Sequence, residues 1–467
     1  MPGQIQDSDN TDQVQGLQTG TLSMRRALGL TIVVFSPVLS AATVGTFVAG
    51  AGSSGWLSVL CGAIMIACIG LCIVPFARRY VVSGALYSYI GHAFGNKAKL
   101  LSGASLAVGY LVGVVASLGA LGLYLGSLLS NDFGLTGATG LLGQSITYIV
   151  VIALAGLLTY GGLDASARLS IVLLILSAPV VAVVLVANTF SADFDFASQF
   201  TFNDFSFSGF TVGIVLSATF LVGFEACAAT AAETKDPLKS IPKILTATPL
   251  IVGAIGVAAT LCTIPSMGAL ADKLAAGESP LAAMAENAGL GWLSGIADMS
   301  LVLTCFAIVV GYMNFTVRVW ATMSVDGILP SLMGKISPRT HTPVGALIVL
   351  AILSVIVPIG LAVVTGGTTL EVYTYAATLF PYLWVVPYAL VCVGAVVLLR
   401  RTRELTPMIA VSATIGTVGV AWMYVNSIVN KTNTPIDHLA WVAPAAIALT
   451  LFGMLLNKSR TKRHADA

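Results

Sequence analysis

Charge is what this chain has least of. Only 9% of its 467 residues are Asp, Glu, Lys or Arg, where soluble domains carry about 25%. So few charges cannot cover the surface of a soluble globule of this length. The basic residues form no patch between apolar segments, and without a concentrated Lys/Arg footprint nucleic acid is excluded as a partner. Histidine is also scarce. His92, His341, His438 and His464 lie near the ends of apolar stretches or in tails, with no H-x-x-x-H pair. Metal ligation and Ser–His catalysis therefore have no candidate constellation, and no enzyme activity or cofactor is expected. The glycine-rich stretch 134–143 lacks the Lys-Ser/Thr of a phosphate loop, which argues against ATP drive. The seven cysteines (Cys61, Cys68, Cys72, Cys227, Cys262, Cys305, Cys392) all fall inside apolar stretches without a CxxC pair. They read as free thiols packing like small hydrophobes. The polar N-terminus has no basic–apolar–cleavage-site layout, so no removable signal peptide is expected.

What is abundant is apolar residue: 57% of the chain, above the roughly 45–50% of soluble domains. A bilayer core about 30 Å thick needs about 20 apolar residues per helix. Twelve such stretches are read, near 27–50, 56–77, 98–129, 141–160, 169–190, 209–232, 243–265, 291–320, 343–364, 369–399, 406–426 and 438–456. Twelve crossings put both termini on one side. With the termini inside, all of the Lys and Arg fall inside except Lys273 and Lys431, a decisive positive-inside bias. The expectation is an all-α polytopic protein of the cytoplasmic membrane with both termini cytoplasmic. It has a polar N-tail (1–24) and a basic C-tail (457–467), and its surroundings are the lipid bilayer.

Two spans carry helix breakers near their middles. The first contains Phe35-Ser36-Pro37, and Pro37 removes a backbone hydrogen bond and clashes with the preceding turn. The sixth reads Ser217-Ala-Thr-Phe220-Leu-Val-Gly223-Phe-Glu225, with a glycine and an acid inside. Backbone groups freed in this way are tolerated at membrane depth only where protein buries them or a wet cavity receives them. Broken helices in corresponding positions of two halves point to a transporter's binding site. Spans one to five (25–190) and six to ten (209–400) each begin with a broken helix. Five crossings invert the second block, which predicts two inverted repeats followed by spans eleven and twelve (401–456).

Three stretches then carry a resemblance. Gly223-Phe224-Glu225, followed by Glu233-Thr-Lys-Asp236-Pro237-Leu-Lys239-Ser-Ile241-Pro242, resembles the G-F-E…E-x-x-x-P-x-x-x-I-P signature of amino acid–polyamine–organocation permeases. Gly84-Ala-Leu-Tyr87-Ser-Tyr89, with Phe94-Gly95 after it, is similar to that family's G-G-x-Y-x-Y…F-G loop. Asn314…Arg318…Asp326-Gly327-Ile-Leu-Pro330 is similar to its N-x-x-x-R…D-G-x-L-P loop. The resemblance covers roughly residues 25–456. It implies the LeuT-like fold of two five-helix inverted repeats plus two helices, alternating access, and a small-molecule substrate held between the two breaks. The carboxylate of an amino acid would meet backbone N–H groups at a half-helix N-terminus of span one, and its ammonium would meet freed carbonyls. These positions map to Ser36, Pro37 and Val38, and to Thr219, Phe220, Leu221, Val222 and Gly223.

This chain departs from the family pattern in two places. Phe35-Ser36-Pro37 stands where many members have a G-S/T-G triplet, and Pro37 cannot donate. Phe220 stands where a small residue is usual and Leu221 where an aromatic is, so Phe220 reads either as a gate or as core. Glu225 has two readings: a site for a substrate ammonium or coupled proton, or a structural tie for the restarted half-helix. Glu233, Lys235, Asp236 and Arg318 are expected as cytoplasmic gate or loop residues, and Asp298 as a hydrated residue at the outer start of span eight. Ser177 occupies the position of the Lys that couples protons in one branch of the family. A sodium site between spans one and eight would draw on Ser300 and Thr304, and exchange without ion coupling is the remaining option. The expected substrate is a neutral or zwitterionic amino acid. The alternative is a polyamine or other cationic amine centred on Glu225, for which one buried carboxylate is thin provision.

Overall fold

A computed structural model describes residues 16–191, 194–275, 278–431 and 435–465. Most of the expected polar N-tail and the end of the basic C-tail lie outside these residues. The helices in chain order are α1 (Met24–Val34), α2 (Pro37–Val48), α3 (Trp56–Ala77), α4 (Leu86–Phe94), α5 (Asn96–Asn131), α6 (Leu141–Tyr160), α7 (Leu163–Asn188) and α8 (Phe207–Ala218). A 3-10 helix follows at Phe224–Glu233. Then come α9 (Pro237–Thr263), α10 (Met267–Ala275), α11 (Pro280–Asn287), α12 (Ser294–Val325) and α13 (Val344–Thr365). The last are α14 (Thr369–Tyr382), α15 (Val385–Arg401), α16 (Pro407–Val429) and α17 (Leu439–Ala465). Among the described residues no strand forms, only two isolated bridges.

Eleven of the described helices, some of them made of two consecutive elements, are long and apolar enough to cross a membrane. The stretch expected as span six is present in two pieces, α8 and the 3-10 helix, and α8 alone is a shorter apolar helix. Burial sorts the spans. In α1–α2 and α5 most of the apolar stretch is buried (83% and 78%), whereas α6, α7, α13 and α17 bury less than a third of theirs. The outer helices expose large apolar side chains such as Leu157, Val364, Val418 and Phe452, a surface suited to lipid. The inner set, α1–α2, α5, α12 and the α8–3-10 pair, surrounds the middle of the bundle.

Glycines let the inner helices close up. A Cβ on Gly109 would lie 2.5 Å from the Trp384 ring, and one on Gly113 would lie 2.9 Å from the rings of Phe380 and Tyr312. Both glycines thus pack against aromatic rings, on α12, on α14 and in the turn that follows α14. The long stretch 369–399 is not one continuous helix, because a turn at Leu383–Trp384 separates α14 from α15.

Candidate functional site

The first break falls where the sequence places it. α1 ends at Val34 and α2 restarts at Pro37. Pro at the first helical position loses nothing, since that N–H has no intrahelical partner anyway. Ser36 is the N-cap of α2, and its Oγ accepts from the Leu39 N–H at 3.1 Å. The Ser40 N–H goes to the Ser36 carbonyl. Two donors stay free among the described residues: the Val38 N–H and the hydroxyl proton of Ser36. On the other side of the break, the carbonyls of Val34 and Phe35 accept no hydrogen bond among the described residues.

The second break spans 219–223, between the end of α8 at Ala218 and the 3-10 restart at Phe224. Gly223 adopts φ 94°, ψ −2°, a left-handed conformation that only glycine takes cheaply. The carbonyls of Thr219, Phe220, Leu221 and Val222 accept no hydrogen bond among the described residues. The Gly223 N–H does have a partner: it donates to the Tyr388 hydroxyl at 2.7 Å.

That hydroxyl leads directly to Glu225, which is fully buried. Tyr388 donates to Glu225 Oε2 at 2.7 Å, Trp384 Nε1 donates to Oε1 at 2.7 Å, and the Tyr110 hydroxyl donates to Oε1 at 3.4 Å. All three donors are neutral. They come from α5, from α15 and from the turn just before α15, so the carboxyl joins the restarted half-helix to two other spans. Sequence reasoning missed these three partners. The only sign of them was aromatic residues with a polar end inside apolar stretches, which usually find a partner when buried.

Between the two breaks lies a cavity of about 60 Å³, walled by Ser36, Thr219, Phe220, Ile308, Tyr312 and Phe380 with small residues of α5. Among the residues expected at the site, Ser36, Thr219 and Phe220 line this cavity. Pro37, Val38, Leu221, Val222 and Gly223 belong to the breaks without forming its wall, and Glu225 does not reach it. No carboxylate faces the cavity. Its roof is aromatic: Phe47 meets Phe220 edge-on at 5.3 Å and Tyr373 at 6.3 Å between ring centroids. Above this roof opens a vestibule of about 360 Å³ whose rim includes Leu274, Glu278, Pro280 and Asp437.

The opposite end of the bundle is sealed by charge. Arg318 forks onto Glu233, its Nε to Oε2 and its Nη2 to Oε1 at 2.9 Å, with both side chains almost completely buried. Arg318 Nη1 also donates to the Asn314 carbonyl at 2.8 Å. Residues before α1 lie across this pair. The Leu22 N–H donates to the Glu233 carbonyl, and the Lys235 N–H donates to the Leu22 carbonyl, each at 2.8 Å. Lys235 and Asp236 are exposed and enter no ion pair among the described residues. The same end carries Lys99–Asp326 at 2.9 Å, Arg168–Asp164 at 2.6 Å, and the pairs Arg26–Asp164 and Arg79–Glu404. Asn457 of α17 donates to the Gly327 carbonyl there, so the start and finish of the described chain share one end.

Asp298 needs correction. It is not hydrated but only 2% exposed, because α11 packs on α12. Ser279, the N-cap of α11, donates to its Oδ1. Ser177 spends its hydroxyl on the Leu173 carbonyl at 2.8 Å, and Ser300 spends its own on Ala297. Among the described residues no group of three His, Cys, Asp or Glu could hold a metal.

The family profile for amino acid permeases matches residues 26–452. Similar proteins include the branched-chain amino acid permease BcaP of Bacillus subtilis (strain 168), 26% identical over 362 residues that cover 73% of this chain and 76% of the relative. BcaP of Lactococcus lactis subsp. cremoris (strain MG1363) is 26% identical over 334 residues, 66% of this chain and 68% of its own length. Cationic amino acid transporter 7, chloroplastic, of Arabidopsis thaliana is 24% identical over 290 residues, 59% and 49% of the two chains. The profile takes in both breaks, the cavity between them and the Glu233–Arg318 pair, and the chain belongs to the amino acid permeases of the amino acid–polyamine–organocation superfamily.

Proposed function

We propose that this permease carries neutral amino acids by alternating access, with the substrate held in the cavity between the two breaks. The observation behind this reading is the composition of that cavity: hydroxyls, freed carbonyls and apolar side chains, with no carboxylate. The α-carboxylate would take the Ser36 hydroxyl proton and the Val38 N–H at the positive end of α2. The ammonium would take the carbonyls of residues 34–35 and 219–220, which line the cavity. The side chain would rest against Ile308, Phe220 and Phe380. Two relatives are named for branched-chain amino acids, in keeping with an apolar wall. A cationic substrate, as in the name of the plant relative, would need a carboxylate in the cavity. Glu225 lies outside it, with both oxygens taken by donors.

The same reading includes the twelve-span arrangement of two inverted five-helix repeats, 25–190 and 209–400. Support comes from a broken first helix in each block and from both described chain ends lying at one end. That end, with its ion pairs and Arg318, would face the cytoplasm, and the vestibule would face outward. The described state is then occluded: closed below by Glu233–Arg318 and the segment before α1, and roofed by Phe47, Phe220 and Tyr373. A cavity of about 60 Å³ holds little beyond a few waters, so loading requires the aromatic roof to move.

The test is uptake into proteoliposomes of pooled labelled amino acids, with lysine and putrescine assayed separately, under an imposed inward proton gradient and without one. Uptake of neutral amino acids alone supports the assignment. Uptake confined to lysine or putrescine overturns it.

A further inference from the structure

Charge is unevenly shared at the Glu233–Arg318 end of the bundle. Arg26 and Arg168 both meet Asp164, Lys99 meets Asp326, and Arg318 meets Glu233. Arginine is densest elsewhere on this end. Five of the chain's twelve arginines stand at 78–79 and 400–403, at the ends of α3 and α15 and just beyond them. The fold brings the two segments together. Arg79 pairs with Glu404, and a Cβ on Gly394 of α15 would lie 3.4 Å from the Phe76 ring of α3. Acids are scarce around them: α3, α4 and α5 contain none, and Glu404 is the single one from α15 through α16.

A cation at a helix C-terminus offsets the helix dipole, and two of the five arginines are accounted for in that way. Arg79 Nη1 donates to the Pro75 carbonyl at 2.8 Å, and Arg401 Nη1 to the Ala93 carbonyl at 3.5 Å. The other three serve nothing inside the fold. Arg78, Arg400 and Arg403 are exposed and form no hydrogen bond or ion pair among the described residues.

Their surroundings are not those of ordinary loop charges. The apolar stretches Trp56–Ala77 and Glu371–Arg401, each long enough to cross a membrane, both end here. α15 exposes Val393 two turns before Arg400, and α16 leads away with Met408, Val411, Ile415 and Val418 exposed. Those four recur at the three- and four-residue spacing of one helix face. Guanidinium groups thus stand where an apolar, lipid-facing surface ends. That pairing suits a molecule with a phosphate head and apolar tails, since guanidinium forks onto phosphate oxygens. A zwitterionic head brings its own ammonium to this cationic place, whereas an anionic head brings only the charge that is missing.

We propose that the joined ends of α3 and α15 bind an anionic phospholipid, its phosphate on Arg78, Arg400 and Arg403 and its acyl chains along α16.

The intact protein, purified in dodecyl maltoside and stripped of lipid, is melted with dioleoyl phosphatidylglycerol or dioleoyl phosphatidylcholine at equal mole fraction. Inorganic phosphate is run separately. A ligand at about a hundred times its Kd should raise the melting midpoint by a few degrees, and only phosphatidylglycerol should do so. The combined change Arg78→Gln, Arg400→Gln and Arg403→Gln should remove most of that rise. Melting in phosphatidylcholine should stay as in the parent, because these side chains hold nothing within the fold. The combined change Lys235→Gln, Lys239→Gln and Lys243→Gln removes the same charge from another exposed stretch of this end and should keep the rise. If the arginine triple does not fold, Arg78→Gln with Arg403→Gln takes its place and should still fall below the lysine triple. Equal losses in the arginine and lysine variants overturn the proposal, since a membrane's general attraction for basic residues would then suffice. So does a rise that survives the arginine changes, a parent that no phosphatidylglycerol stabilises, or an equal rise with phosphatidylcholine. An equal rise with inorganic phosphate also overturns it, as the site would then take a free anion.

Discussion

Replacing Glu225 by Gln separates a structural carboxyl from a substrate-binding one. The carboxylate accepts from Trp384 Nε1 and from Tyr388, both at 2.7 Å, and more weakly from Tyr110. Gln offers one acceptor and one donor group in place of two acceptors. The indole N–H of Trp384 can only donate, so the amide oxygen must face it. The amide NH2 then faces Tyr388, whose oxygen already accepts from the Gly223 N–H. The Tyr388 hydroxyl proton is left without an acceptor in a fully buried place, at about 1–3 kcal/mol. Glu225→Ala strands both Trp384 and Tyr388, at roughly 2–6 kcal/mol by the same measure. Thermal unfolding of the purified protein in one detergent should therefore rank wild type above Gln and Gln above Ala. At ~2–4 °C per kcal/mol for chains of 150–250 residues, and less for longer ones, the Gln shift is a few degrees. The KM for neutral amino acid uptake should change by less than about threefold, or ~0.7 kcal/mol. A direct ammonium contact would instead cost about 1.5–3 kcal/mol, which is ~10–150-fold in affinity. A Gln variant with unchanged melting and a KM raised more than about tenfold would refute the structural assignment.

The remaining expectations concern other parts of the same framework. Glu233→Gln leaves the buried Arg318 uncompensated and should lower stability by ~3–5 kcal/mol, whereas Glu233→Leu with Arg318→Met should recover most of it; melting of the two single variants and the double variant checks the coupling. Phe220→Ala opens the roof between cavity and vestibule, so uptake of bulky apolar amino acids should rise relative to alanine in competition assays. Gly109→Ala puts a methyl 2.5 Å from the Trp384 ring, which must shift off Glu225; melting should fall further than the few tenths of a kcal/mol expected of a mild surface change.

The sequence placed the breaks well because a break is a local event. Pro37 cannot extend the preceding helix, and Gly223 is the residue that reaches φ 94° without strain, so both positions were readable from their own neighbourhoods. The partners of Glu225 were not readable. Tyr110, Trp384 and Tyr388 lie 115 to 163 residues away along the chain, and apolar periodicity does not say which aromatic meets which acid. Asp298 failed for a related reason. Its position at the start of α12 suggested water, but α11, an element too short to be read as a span, packs over it. Glu233 and Arg318 were each expected at the charged end, yet their mutual, bidentate and buried geometry needed the fold to bring 85 residues of separation to contact.

The two breaks are chemically unequal, and the inequality bears on how a carrier at this site would release its load. At the second break, Tyr388 takes the Gly223 N–H while supporting Glu225, so that half-helix end is already neutralised and braced. At the first break, Pro37 has no N–H and Ser36 takes the one on Leu39, which leaves two free donors, the Val38 N–H and the Ser36 hydroxyl. On the proposed reading the carboxylate is held at the first break alone and by few groups, while the ammonium finds carbonyls at both. Removing the Ser36 hydroxyl would leave one donor and also uncap α2, so Ser36→Ala should act twice. Substrate affinity should fall through the lost hydrogen bond to a charged group, about 1.5–3 kcal/mol. Stability should fall by about 1 kcal/mol through the lost cap. Ser36→Thr keeps both functions in kind and should restore KM and melting together. If Thr restores melting but leaves KM high, the hydroxyl serves α2 alone and the carboxylate is held elsewhere.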